Sequence, residues 1–226
     1  MSRGEANGEI DPRNQLNELS NREWLKRTKS VWYSNPGPRD PLKQQHPATF
    51  AEADVVKLIE LFTRSHQLVL DPFLGTGSTL IAAMMAMRRG LGVELVEHWA
   101  EIARARVEAF IKGHGQEFRK LVDPERDIIC GDSRVVLPAF SSESVDFIVT
   151  SPPYWSILRN ADGMKTAFER SGLPTCYSER PDDLGNVPSY ERFIGQLRAV
   201  WEQCHRILKA GKYMAVVVSD FRHGPR

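Results

Sequence analysis

The sequence predicts an α/β fold, a doubly wound and mainly parallel sheet with helices on both faces. Three observations lead there. Short apolar runs alternate with longer stretches of helical periodicity over most of the chain. A glycine-rich turn at residues 72–79 stands between the first apolar run and the helix that follows it. A strand-like run at residues 145–150 then stops at a polar, proline-stiffened corner, Ser151-Pro152-Pro153-Tyr154-Trp155. Regular β–α alternation of this kind implies parallel strands joined by right-handed crossovers.

In chain order, residues 1–21 are polar and without periodicity, and are expected to form a flexible N-terminus. The folded domain is expected over residues 22–226. Its first stretch, residues 22–43, carries Arg22, Lys26, Arg27, Lys29, Arg39 and Lys43 against Glu23 and Asp40, interleaved with Trp24, Trp32 and Tyr33. That mixture suits a phosphate backbone with a stacked base, and equally a solvated arm tucking its tryptophans against the domain. A turn at residues 35–38 closes the arm, and residues 51–63 recur at helical spacing with Thr49 as the expected N-cap. Strands are expected at 67–71, 90–95, 127–132, 145–150 and 213–219, and helices at 80–88, 98–112 and 190–208. Residues 156–187 form a long loop beside the proline corner. Loops beyond about 12–15 residues in compact domains are usually functional or disordered.

Composition removes several function classes. With 41% hydrophobic and 26% charged residues the chain is ordinarily globular, and no apolar run approaches the ~20 residues of a membrane span. A cytoplasmic protein is expected, since the first residues carry no apolar export segment. Cys130, Cys176 and Cys204 are widely spaced, which argues for reduced thiols and against a structural zinc site, so no metal is expected. A net charge of +1 neither supports nor excludes a nucleic-acid partner.

The chemistry concentrates at strand ends. Ser151 stands at the carboxyl end of a buried strand, where open α/β sheets bind ligands. Pro152 and Pro153 donate no N–H, so carbonyls there are left to accept hydrogen bonds, and Tyr154 adds a flat ring. Acceptors beside an aromatic face suit a planar group bearing N–H2, such as the exocyclic amine of a nucleobase. The plainer alternative is a proline-terminated strand running into a loop. At the glycine turn, Gly75-Thr76-Gly77 is neither a GxGxxG fingerprint, whose third small residue would fall at Leu80, nor a P-loop. The turn permits close approach of an adenosyl ligand, with Asp71 placed to receive an ammonium group. Glu94 follows Gly77 by about 17 residues, near the offset of roughly 20 at which an acid accepts both ribose hydroxyls. Asp132 ends the third strand in the same layer. Each acid alone is more often a cap or a surface residue, whereas three at consecutive strand ends form a constellation.

These residues carry a family resemblance. Asp71 to Thr79, reading DPFLGTGST, resembles the DPFxGxGT loop of S-adenosylmethionine-dependent DNA amino-methyltransferases, and Thr150 to Trp155, TSPPYW, resembles their catalytic (D/N/S)PPY motif. The likeness runs from about Trp24 to Asp220. It implies a Rossmann-like methyltransferase fold, S-adenosyl-L-methionine as cofactor and DNA as partner. His46-Pro47 stands where the family has a His-Pro element that closes the methionine end of the cofactor site. By the same likeness, Asp71, Pro72, Phe73, Gly75, Thr76, Gly77, Ser78 and Thr79 surround the cofactor. Glu94 holds its ribose with Leu95 alongside, and Asp132, next to Ser133, holds the adenine amine. Ser151, Pro152, Pro153 and Tyr154 form the catalytic corner, and Tyr154 and Trp155 receive the target base. Serine in the first catalytic position, with tryptophan after tyrosine, is closer to the cytosine-N4 branch than to the adenine-N6 branch, where aspartate is usual.

The implied reaction is methyl transfer to the exocyclic amine of a base flipped from the duplex, in a restriction-modification setting with a cognate endonuclease. Cytosine-C5 chemistry would need a cysteine beside proline in a strand-end loop, and the three cysteines lack that context. Rival readings are an adenine-N6 enzyme, an RNA or protein-glutamine amino-methyltransferase with a related PPY motif, and a non-catalytic cofactor-binding subunit. The last arises because no target-recognition domain separates the motifs. After the fifth strand, moreover, the family fold would add a helix and an antiparallel strand pair, so either the chain is a fragment or a second chain completes the sheet.

Overall fold

The computed structural model describes residues 9–34, 40–46, 50–155 and 176–218. The expectations for Pro47, Thr49, the turn at 35–38 and residues 156–175 of the long loop lie outside them. The central layer is a five-stranded sheet of β1 (Leu68–Asp71), β2 (Arg89–Glu94), β3 (Ile128–Cys130), β4 (Val145–Thr150) and β5 (Leu208–Val216). Every pairing is parallel and the spatial order is β3-β2-β1-β4-β5, the Rossmann-like doubly wound arrangement. Winding reverses between β1 and β4, which pair Val69 with Phe147 and Leu70 with Ile148. Above the carboxyl ends of those two strands the chain leaves in opposite directions, and a crevice results.

Alternation along the strands builds a core on each face. Val69, Phe147 and Val149 point to one side, against Val55 and Ile59 of α2 (Glu52–Phe62) and Ala82 and Ala83 of α3 (Ser78–Met85). Leu70, Ile148 and Val93 point to the other, against Val200, Cys204 and Ile207 of a long C-terminal helix (Tyr190–Ile207). That helix buries Phe193, Leu197, Val200, Cys204 and Ile207 at three- and four-residue intervals, and Ser189 Oγ caps it by accepting from Arg192 N–H at 3.3 Å. On the first face, α4 (Glu97–His114) packs Ala103, Val107 and Ile111 against Leu80 and Met84 of α3.

Residues 14–20, expected within a flexible terminus, are instead anchored. Asn17 is fully buried and its amide donates to the Leu61 carbonyl at 2.6 Å, Leu19 is buried, and Glu18 pairs with Arg88 at 3.3 Å. Ser20 and Glu23 then cap α1 (Asn21–Arg27) reciprocally. α2 begins with Ala51 in the cap position. β5 starts before its expected residue 213 because its register against β4 slips between Leu208, opposite Val145, and Tyr213, opposite Phe147. Gly211, at φ +73°, turns the extra residues.

Candidate active site

At the carboxyl end of β1, Asp71 is buried and accepts three hydrogen bonds. One carboxylate oxygen accepts from Thr150 Oγ1 at 2.6 Å and from Phe73 N–H at 3.0 Å, and the other accepts from Thr79 Oγ1 at 2.6 Å. Burial pushes its pKa up, against the downward pull of these three donors. Asp71 therefore clamps the ends of β1 and β4 to the first turn of α3.

The loop that follows adopts left-handed backbone at Gly75 (φ +55°) and Gly77 (φ +83°). A side chain at Gly77 would meet Ala103 Cβ at 3.1 Å, so α4 approaches the loop closely here, and at Gly75 it would fill the space under the His46 ring. Glu94, 8% exposed at the end of β2, holds this loop to the next one. Its Oε2 accepts from Gly75 N–H at 2.7 Å and its Oε1 from Val96 N–H at 2.9 Å. Burial raises its pKa to about 7, opposed by those two N–H groups. Asp132 caps the short helix Ser133–Val136 and accepts from the Arg134 guanidinium, with Nε at 2.9 Å from Oδ1 and Nη2 at 2.5 Å from Oδ2. Ser133 Oγ donates to the Pro72 carbonyl.

Beyond β4, Ser151 Oγ lies 3.1 Å from Tyr154 Oη. Trp155 turns away, its indole N–H donating to the Val187 carbonyl at 2.7 Å and its ring packing with Leu184, Phe193 and Leu197.

One cavity of about 360 Å³ joins these groups. Its walls include His46, Pro72, Phe73, Gly75, Thr76, Ser78, Glu94, Leu95, Asp132, Ser133 and Ser151 through Tyr154. Of the remaining expected residues, Asp71, Gly77, Thr79 and Trp155 are absent from its walls. The walls also contain Phe50, Val96, Trp99, Arg134, Tyr177, Asp183 and Leu184, none of which the sequence singled out. Trp99 lies edge-on to His46 at 4.8 Å and donates its indole N–H to the Tyr177 carbonyl at 3.0 Å. Trp99 falls at a core spacing of α4 and Tyr177 in a stretch without pattern, so only Arg134, two residues past Asp132, had a local signal. The cysteine thiols stand apart from the cavity walls. Burial pushes Cys130 to about 11 and Cys204 to about 12, which disfavours the thiolate.

Residues 5–105 match the family model described as DNA methylase, N6_N4_Mtase. The match spans the glycine loop and Glu94 and ends ahead of Ser151. The type II methyltransferase M.BglI of Bacillus subtilis is 28% identical over 113 residues, 50% of this chain and 32% of that protein. M.ScaI of Streptomyces caespitosus is 39% identical over 64 residues, 28% of this chain and 21% of that protein. M.MjaI of Methanocaldococcus jannaschii is 32% identical over 101 residues, 42% and 33% of the respective chains. The chain spans about a third or less of the length of these relatives. Among solved structures, a SAM-dependent methyltransferase from Aquifex aeolicus superposes with a TM-score of 0.41 at 16% identity, over 82% of this chain and 73% of that one.

Proposed function

From the match of residues 5–105 to the DNA methylase family model, we propose an enzyme that transfers a methyl group from S-adenosylmethionine to the exocyclic amine of a base flipped out of duplex DNA, with cytosine N4 as the target. The observation that carries this reading is the convergence of Glu94, the glycine loop and the Ser151–Tyr154 corner on a single cavity.

The walls fit the cofactor. Glu94 offers a carboxylate to a ribose diol, and Phe73, Leu95 and Val96 offer apolar surface to a flat base near Asp132. Gly75 leaves, beneath His46, room that a Cβ would take. When bound, S-adenosylmethionine supplies an electrophilic methyl group on a sulfonium. The chain's own part is to make the amine a better nucleophile. An amine conjugated with its ring gives up its lone pair only when its protons are held in hydrogen bonds, so Ser151 Oγ and the Pro152 carbonyl accept them while Tyr154 stacks on the base. Ser151 Oγ lies 3.1 Å from the Tyr154 hydroxyl and keeps a lone pair for the amine whichever of the two donates. No covalent enzyme intermediate is needed.

Incubation with duplex DNA and labelled cofactor, followed by mass spectrometry of digested nucleosides, tests the reading. N4-methylcytosine is expected. N6-methyladenine would keep the family and change the base, and label in RNA or protein alone would overturn the substrate.

A further inference from the structure

Behind the glycine loop lies a buried charge that the reaction above does not use. Arg106 of α4, its side chain 4% exposed, donates from Nη1 to the Thr76 carbonyl, and the same nitrogen lies 3.3 Å from Thr76 Oγ1 and 3.4 Å from Ser78 Oγ. Its Nε donates to Asp40 Oδ2 at 2.9 Å and its Nη2 to Glu52 Oε1 at 2.7 Å. Lys43 shares Glu52. Two cations thus face two carboxylates, so what Arg106 brings to the loop is geometry more than net charge.

Thr76 and Ser78 also form part of the cavity wall. A guanidinium has donors only, so each hydroxyl oxygen must be the acceptor in its contact with Arg106. Its own proton is then directed elsewhere and is available to an acceptor in the cavity. Asp71, the acid expected at this end, accepts from two threonines and is not among the cavity walls. The loop end is therefore a donor surface suited to an anion. Close packing of Ala103 against Gly77 brings α4 near enough for Arg106 to reach both hydroxyls.

We propose that Arg106 is a positioning residue that turns the hydroxyl protons of Thr76 and Ser78 toward the carboxylate at the amino-acid end of the cofactor. The proposal rests on reading the cavity as an S-adenosylmethionine site. It separates ligands that carry this carboxylate from ligands that do not.

The test compares S-adenosylhomocysteine with 5′-methylthioadenosine, which has the same nucleoside and sulfur but no amino-acid end, by calorimetry on the full chain. Arg106→Lys keeps a charge for Glu52 but loses the planar fork, and is expected to weaken S-adenosylhomocysteine roughly tenfold while leaving 5′-methylthioadenosine within about twofold. Ser78→Ala and Thr76→Val keep the ion pairs and are expected to show the same selective loss, so the comparison holds even where the Arg106 variant fails to fold. Equal losses for both ligands make Arg106 a mere support and overturn the proposal, as does unchanged S-adenosylhomocysteine affinity in all three variants. Wild-type protein that binds neither ligand overturns the cofactor reading itself, and the proposal with it.

Discussion

The contact between Ser151 and Tyr154 can run in either direction across its 3.1 Å. A hydroxyl oxygen has two lone pairs, so Ser151 can accept an amine proton whether it gives its own proton to Tyr154 Oη or takes the tyrosyl one. Ser151→Ala is expected to lower the methylation rate tenfold to about a hundredfold, the worth of a hydrogen bond to a group gaining charge, with cofactor affinity unchanged. Tyr154→Phe, which keeps the ring, is expected to show a smaller loss, and full activity in Ser151→Ala would remove that residue from the mechanism. Glu94 gives a pH dependence. On the proposed reading its ionised form accepts the ribose diol, so affinity for 5′-methylthioadenosine, which does not titrate in this range, should rise with pH and level off above about 7. At pH 6 it should be about tenfold weaker than at the plateau. Fold stability runs the other way. A carboxyl raised by burial favours the folded state below its ordinary value and loses that advantage as pH climbs through about 7. Calorimetry at pH 6 and 8 checks the first effect, and a pH-independent affinity would take Glu94 out of the site. The place of Glu94 and the Ser151 corner on the cavity wall was legible in the sequence because an acid or a proline pair ending an apolar run marks a strand's carboxyl end. Asp71 read equally well, yet it is not among the cavity walls. Nothing in the sequence says that Thr150 would come to its side from the neighbouring strand.

Among the elements, the contact of α3 with α4 sets the shape of the loop. Gly77 caps α3 with a left-handed backbone, and its missing Cβ is the space that Ala103 occupies. Gly77→Ala is expected to destabilise the fold by about 2 kcal/mol, from the left-handed penalty together with crowding, and to lower cofactor affinity through the displaced loop. Urea denaturation checks it, and an unchanged midpoint would contradict the packing described. Element boundaries were legible where caps and periodicity agree, as in the Tyr190–Ile207 helix with Ser189 ahead of its apolar stripe. They were not legible where backbone geometry intervenes. α3 starts at Ser78, ahead of its apolar residues, because Gly77 is already the cap, and it ends before Met87, whose φ of +59° turns the chain into β2. The early start of β5 depends on a register slip that only its pairing with β4 reveals.

At the scale of the molecule the sheet is polar, with the cavity at the carboxyl ends of its strands and α1 at the other end. Arg27 pairs with Glu60 at the end of α2, and Glu18 with Arg88 at the entry to β2. The basic and aromatic arm, read either as a phosphate contact or as a solvated arm, thus begins on the side away from the cavity, with Leu25 and Tyr33 exposed. Arg22→Ala combined with Lys26→Ala is expected to leave the salt dependence of DNA binding unchanged, whereas a slope reduced by about 0.9 per lost contact would place the arm on the duplex. Strand order was legible only as far as alternation implies parallel pairing, since which strand lies in the middle is settled by long-range contacts. That central place has a further consequence, in the order of folding. β1 has one edge for β2, its immediate successor, and one for β4, about 80 residues later, so half of its ladder must wait while the intervening chain is made and packed. Pairing of β1 with β4 is therefore expected to be the slow, topologically costly step. The crevice that holds the cavity exists only once that step is complete, so binding competence should appear with the slowest refolding phase.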